Sequence, residues 1–264
     1  MLKIIDGRAI ASRVKDSIAK EVFAFKGGHP SLAIIMVGER DDSKIYVSLK
    51  EKEGRLLGID THLYKLSEDA KEEEILEVIY FLNKDEAVDG MIVQLPLPKH
   101  LDADRIIAAI NPQKDADGFC SGHPDYVKSP VLAAIEASLA ETAFVGQGKK
   151  AAIFYNSEVF GQEVRRFLES RGLEIISKDD SIEADLIVTA CGRPASIKAE
   201  MVKEGALIID IGISRVDGQV VGDVDEESLA SRSPFITPVP GGIGPMTIAF
   251  LFKNVLELYK NKKR

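Results

Sequence analysis

The sequence predicts an α/β protein of two domains, and three observations carry that prediction. Continuous apolar runs alternate with amphipathic segments of helix length, the pattern of a mostly parallel sheet whose two faces are covered by helices. The alternation breaks near INPQKDADGF and resumes at KKAAIFYN, which makes two series instead of one. With 264 residues, 45% hydrophobic and 29% charged, the chain has ordinary globular composition and can bury one large core or two modest ones.

Each element has a local reason. Asp6 is placed to cap a first helix, along which Ile10, Val14, Ile18 and Val22 recur every four residues until Gly27-Gly28. SLAIIMVG is the first strand; a helix follows from Ser43 to Leu57, then a strand in THLYKL, a helix in EEEILEVIYFL and a strand in GMIVQL. A helix from Val131 to Glu141 leads into the second series, KKAAIFYN, EVRRFLESRG, LEIIS, DLIVTAC and GALIIDIG. Asp217-Gly218 between two short β-prone segments signals a hairpin. Proline and glycine argue against regular structure in ITPVPGGIGP, and a last helix from about Met246 to Tyr259 carries Ile248, Leu251, Phe252, Val255 and Leu258 on one side. The expected division is residues 1–122, completed by the helix at 245–264, and residues 123–244.

Composition also excludes function classes. The formal net charge is −8, and the only basic cluster, Lys260, Lys262, Lys263 and Arg264, reads as a short solvated tail, so nucleic acid and anionic membrane are not expected partners. MLKIIDGRAI lacks the zones of a signal peptide and no apolar run has the length of a membrane span, which points to the cytoplasm. Cys120 and Cys191 show no CxxC spacing and the four histidines are scattered, so neither a disulfide framework nor a metal site is expected.

Five segments hold candidate chemistry. Tyr46 and Lys50 are four apart and project from one helix face, where they can meet a ligand together or stand as an exposed pair. Gln94 is the polar side chain at the carboxyl end of GMIVQL, where open α/β sheets bind ligands, although it would serve equally as a strand cap. In KDADGF, Asp115 and Asp117 do not make a calcium loop, because glycine and glutamate are lacking where Cys120 and Tyr126 stand. Asp117 at the mouth of an interdomain cleft has the chemistry to accept hydrogen bonds from a polar heterocycle; a plain Asp-Gly turn is the alternative. TPVPGGIGPMT gives a stiff backbone without side-chain bulk, either a rigid turn or a surface for a flat ligand. AAIFYNSEVFGQ has the strand-turn-helix form that opens a dinucleotide-binding domain, yet of the G-x-G-x-x-G glycines it keeps only Gly161.

Together these segments resemble the bifunctional methylenetetrahydrofolate dehydrogenase/cyclohydrolase family. The matching wording is Y-V-x-x-K at 46–50, V-Q-L-P-L-P at 93–98, K-D-A-D-G-F at 114–119 and T-P-V-P-G-G-I-G-P-M-T at 237–247. D-G at 6–7, A-D-L-I-V-T-A-C-G-R-P at 184–194, I-D-I-G-I at 209–213 and V-G-D-V at 221–224 extend it over the whole chain. The resemblance implies a folate-binding catalytic domain and a Rossmann-like NADP-binding domain around one cleft. There 5,10-methylenetetrahydrofolate is oxidised to the methenyl cation and then hydrolysed to 10-formyltetrahydrofolate. It further implies that Tyr46 stacks on the folate, Lys50 is the principal catalytic group, Gln94 hydrogen-bonds Lys50 and Asp117 anchors the pterin's amino edge. Val93, Leu95, Pro96, Pro240, Gly241, Gly242 and Pro245 are the further substrate contacts expected, and a homodimer is the implied assembly.

Cofactor contacts are expected at Asn156, Ser157, Gly161, Ser177, Lys178, Cys191, Gly192, Gly212, Ile213 and Thr247, and here the chain departs from the family pattern. Tyr155, Asn156 and Ser157 stand where the family shows G-R-S, so a ring occupies a glycine position and the arginine partner of a 2′-phosphate is lost. P-C-T-P-x-G is degraded to the segment Lys128, Ser129, Pro130, Val131, Leu132, and where the family carries H-S-x-T the chain offers Ser177, Lys178, Asp179 and Asp180. Lys178 favours NADP, while Asp179 and Asp180 favour NAD; the expectation is NADP, with NAD the runner-up. The alternatives are a cyclohydrolase without nucleotide binding and a non-catalytic folate-binding protein.

Overall fold

The computed structural model describes residues 2–262 except Ser121, Pro124, Asp125 and Ser233, so Lys263 and Arg264 of the basic tail lie outside the described residues. The first half of the chain forms β1 (Lys3–Ile4), α1 (Gly7–Ala24), β2 (Ser31–Val37), α2 (Asp41–Leu57), β3 (Asp60–Leu66), α3 (Glu72–Lys84), β4 (Gly90–Val93) and α4 (Ala103–Ala108). The second half forms α5 (Pro130–Glu141), β5 (Lys150–Tyr155), α6 (Glu158–Ser170), β6 (Glu174–Ile175), β7 (Leu186–Ala190) and β8 (Leu207–Asp210). It ends with β9 (Ser214–Val216), β10 (Gln219–Val221), β11 (Phe235–Ile236) and α7 (Ile243–Lys262). Two compact units result: a first of Ser12–Pro130 with Ile248–Arg264, and a second of Met1–Ala11 with Val131–Thr247.

The first unit is built on a parallel sheet in the order β3-β2-β4. All seven residues of β2 are buried, and their alternation explains why the strand reads as one apolar run. Leu32, Ile34 and Met36 face one core with Ile18 and Val22 of α1, Val47 of α2, and Phe252 and Val255 of α7. Ala33, Ile35 and Val37 face the other core with Ile75, Ile79 and Leu82 of α3 and Ile106 of α4. Full burial of each large aliphatic side chain stabilises the fold by ~1.5–3 kcal/mol, so the two-sided packing dominates this unit.

The second unit has a six-stranded parallel sheet ordered β1-β11-β8-β7-β5-β6. Ala152, Phe154, Ile187, Ile208 and Ile236 pack on one face, and Val164 and Leu168 of α6 are buried. The chain leaves β5 to one side for β6 and returns on the other for β7, so strand order reverses between β5 and β7. That is the position where open α/β sheets hold a nucleotide. β9 and β10 form the expected hairpin, with Asp217 and Gly218 both at positive φ.

Several expectations need revision. Residues 1–11 pair with the second unit, because β1 runs parallel to β11 with Lys3 opposite Phe235 and Ile4 opposite Ile236. Residues 123–130 group with the first unit. LEIIS is a strand only over Glu174–Ile175. The last helix begins within the glycine-proline segment, at Ile243; Pro245 sits in its first turn, where an N–H has no intrahelical partner to lose. Lys260 and Lys262 are no free tail: Lys260 pairs with Glu21 and Lys262 with Asp89.

Candidate active site

Helix α2 places Tyr46 and Lys50 one turn apart, both half-buried. The amine of Lys50 donates to Gln94 Oε1 at 2.8 Å. Gln94 is fixed at the end of β4: its backbone N–H donates to Ile35 O at 2.8 Å and its Nε2 to Leu95 O at 2.8 Å. With the amide nitrogen engaged there, the amide oxygen is the atom left to face the lysine. Val93 is buried beside it, and Leu95 is 37% exposed ahead of the cis bond to Pro96.

Asp117 is presented by a loop that other groups hold. Asp115, only 2% exposed, accepts from Gly118 N at 3.0 Å and Cys120 N at 2.9 Å. Asn254 of α7 donates to Ala116 O at 2.9 Å and Lys128 O at 2.8 Å. Gly118 has a φ of +69°, and a Cβ on it would lie 2.3 Å from Val127 O, so glycine is required twice over. Burial pushes the Asp117 carboxyl up to about 6, with Lys50 opposing the rise and Asp115 adding to it. Burial likewise pushes the Lys50 amine down, and Asp117 opposes that shift. The pair therefore offers a partly desolvated amine and carboxylate, the amine shifted down and the carboxyl shifted up by burial. Asp115 and Asn254 are the supporting residues that the sequence reading missed. Asp115 at least lies within the KDADGF segment, whereas nothing local marks Asn254.

In the second unit the predicted cofactor residues lie at the carboxyl ends of β5, β6, β7 and β8, except Thr247, which is in the first turns of α7. Asn156 Nδ2 donates to Cys191 O at 2.9 Å, tying the turn after β5 to the turn after β7. Ser157 caps α6 and accepts from Phe160 N at 3.5 Å, leaving the first amides of a thirteen-residue helix toward an anion. Tyr155 does not stand in front of that turn. A Cβ on Gly161 would lie 2.6 Å from its ring, so the ring fills the space that the missing side chain leaves against α6. Lys178 Nζ sits 4.5 Å from the centroid of the same ring. They border a pocket of about 310 Å³ that Arg165, Ser177 and Asp179 also line. Gly192 has a φ of +62°, Gly212 N donates to Asp210 Oδ1 at 2.9 Å, and Ile213 is 49% exposed. Helix-end amides, an open hydroxyl and a cation at the second strand end fit a phosphate-bearing dinucleotide.

The glycine-proline segment belongs to this second unit up to Thr247, whose hydroxyl donates to Gly244 O at 2.7 Å. Val239–Pro240 is cis, Gly241 has a φ of +114°, and a Cβ on Gly242 would lie 2.6 Å from Pro238 O. A Cβ on Gly7 would lie 2.0 Å from Gly242 O, which accounts for the Asp-Gly at 6–7: Asp6 caps α1, accepting from Arg8 N and Ala9 N at 3.0 Å, while Gly7 lets two backbones touch. Among the described residues no group of three or more His, Cys, Asp or Glu is placed to hold a metal ion, and no helix is long and apolar enough to cross a membrane.

Two family models match this chain. The tetrahydrofolate dehydrogenase/cyclohydrolase catalytic domain covers residues 5–117, and the NAD(P)-binding domain of the same family covers residues 132–263. The chain belongs to the tetrahydrofolate dehydrogenase/cyclohydrolase family. Among relatives, the bifunctional protein FolD of Halothermothrix orenii is 41% identical, over 98% of this chain and 99% of that one. FolD of Aquifex aeolicus is 40% identical, over 99% and 97%. The crystal structure of the FolD dehydrogenase/cyclohydrolase from Campylobacter jejuni superposes with a TM-score of 0.93 at 34% identity, covering 99% of this chain and 100% of that one. The Trypanosoma brucei enzyme, solved with NADP and an inhibitor, gives 0.89 at 30% identity, covering 99% and 98%. The protein is thus a bifunctional methylenetetrahydrofolate dehydrogenase and methenyltetrahydrofolate cyclohydrolase.

Proposed function

We propose that Lys50 is the principal catalytic group, handling the proton in the hydrolysis, and the observation that carries this reading is its hydrogen bond to Gln94 together with its lowered proton affinity. Tyr46 stacks on the folate, Asp117 accepts from the pterin's amino edge, and Val93, Leu95, Pro96, Pro240, Gly241, Gly242 and Pro245 complete the substrate contacts. When bound, the nicotinamide cofactor supplies the acceptor for the hydride leaving the methylene carbon. That step makes a cationic substrate without requiring a base. In hydrolysis a water adds to the methenyl carbon; one of its protons is released to solvent, and the other passes to the departing nitrogen as the carbon–nitrogen bond breaks to leave the formyl group. Lys50, held by a neutral amide instead of a carboxylate, is suited to take and return that proton. Close approach of the substrate cation lowers its proton affinity further.

NADP is the cofactor that this reading favours, with NAD as the runner-up. The NADP in the Trypanosoma brucei structure and the placement of Lys178 beside a pocket at the end of β6 both support it. Asn156, Ser157, Gly161, Ser177, Lys178, Cys191, Gly192, Gly212, Ile213 and Thr247 are its contacts. A homodimer formed around the β9–β10 hairpin is the assembly we assign. Mixing the protein with methylenetetrahydrofolate and each nucleotide, and following reduced nicotinamide, tests the first activity; loss of methenyltetrahydrofolate absorbance tests the second. Both signals are expected, the first stronger with NADP. Hydrolysis without nucleotide reduction would overturn the cofactor assignment alone.

A further inference from the structure

One fully buried carboxylate in the second unit serves a loop thirty or more positions away in sequence. Asp223 Oδ2 accepts from Thr189 Oγ1 at 2.8 Å and Cys191 N at 2.6 Å, and its Oδ1 accepts from Arg193 N at 2.7 Å. Gly212, after β8, leaves the room it needs, since a Cβ there would come 2.2 Å from the Asp223 carboxyl carbon. With the amides on both sides of Gly192 drawn inward, Gly192 takes its left-handed φ of +62° and the Cys191 carbonyl points the other way, to Asn156 Nδ2 at 2.9 Å. A chain of contacts therefore runs from Asp223 through Cys191 to Asn156, across the point where strand order reverses.

We propose that Asp223 is a positioning residue for the dehydrogenase step, setting the Cys191-Gly192 turn against the nicotinamide nucleotide while taking no part in hydrolysis. This rests on the reading of Cys191 and Gly192 as cofactor contacts. A carboxylate is the group for the task because it accepts from several donors at once, and an amide of the same shape presents a donor to at least one of the N–H groups.

Asp223→Asn tests it. Titration with NADP is expected to show the dissociation constant rising about tenfold, as befits loss of charge-assisted hydrogen bonds. The Michaelis constant for NADP should rise with it, while kcat at saturating NADP and the cyclohydrolase rate stay at wild-type values. Without nucleotide, alkylation of Cys191 followed by mass spectrometry, with Cys120 as the internal reference, should speed up as the turn is released. Unchanged dissociation constant and alkylation rate in the folded variant would overturn the proposal, as would a parallel loss of both activities. Where Asp223→Asn fails to fold, Thr189→Val removes one donor only; a rise of about threefold in the NADP constant is expected, and no rise overturns the role. A wild type that binds neither nucleotide would overturn the cofactor reading and this role with it. That failure is recognisable because the alkylation of Cys191 would still respond to Asp223→Asn.

Discussion

In the first unit the proposed chemistry is carried by side chains, whereas in the second it is carried mainly by backbone. Lys50, Gln94 and Asp117 act through one amine, one amide oxygen and one carboxylate, each held by a bond or a loop that has no spare room. These are also the positions at which the sequence keeps the family wording. At Tyr155 and Asn156 the wording is lost, yet Ser157, the helix-end amides, the left-handed Gly192 and the strand ends stay in place. A site made of peptide groups tolerates new side chains so long as the chain follows the same path. Tyr155 illustrates this, since its ring packs against Gly161 and under Lys178, clear of the turn.

The contrast is sharpest at Lys50. Lys50→Met should lower cyclohydrolase turnover by about 10³-fold, within the range for losing a positioned proton-transfer group, with folate binding little changed. Wild-type hydrolysis by a folded variant would remove Lys50 from the chemistry. Asp117→Ala should raise the folate constant about 10- to 100-fold for both activities together, because an anchor serves substrate and transition state alike. A drop in kcat alone would show that Asp117 acts on the reaction instead. Lys178→Ala should raise the Michaelis constant for NADP by about 10- to 150-fold and leave that for NAD nearly unchanged, one charge-assisted contact being worth ~1.5–3 kcal/mol. Equal effects on the two nucleotides would mean that Lys178 does not read the phosphate.

The smallest effect expected is on stability. Asp117 and Asp210 have folded-state pKa values of about 6 and about 7, both raised chiefly by burial above an ordinary 3.8. The native chain holds protons there that the unfolded chain releases, so stability is greatest below about pH 4 as far as these two groups are concerned, and their contribution falls as pH rises toward 7. Asp117→Asn should flatten part of that fall and raise Tm at neutral pH by about 2–4 °C while weakening folate binding. Melting curves at two pH values on either side of 6 decide it; an equal pH dependence in variant and wild type would discount Asp117's share. Folate binding to the wild type should weaken below pH 6, as the accepting carboxylate takes up a proton.

The parallel architecture was legible because β2, β4, β5, β7 and β8 are runs long enough to show two-sided burial. β1 and β11 were not, since two residues carry no period and their partnership joins remote parts of the chain. The short α4 went unseen because its six residues are too few to show a helical period. At the site, the i,i+4 relation of Tyr46 and Lys50 was visible locally, but the bond from Lys50 to Gln94 spans 44 positions and was expected only through the family resemblance. Asn254's grip on the Asp117 loop spans more than 120 positions and left no trace in any motif.

The pairing of β1 with β11 has a consequence for how the protein is made. As the ribosome delivers the chain, Lys3 and Ile4 emerge long before Phe235 and Ile236 and cannot pair with them until everything between has been synthesised. The first unit's strands β2, β3 and β4 are contiguous in the chain and free to associate early, although α7 reaches one of their cores only after β11 has emerged; the outer edge of the nucleotide sheet closes across a very long loop. Extensions or deletions ahead of Asp6 would therefore disturb the edge of the nucleotide sheet, and register as impaired cofactor binding before any loss of hydrolysis.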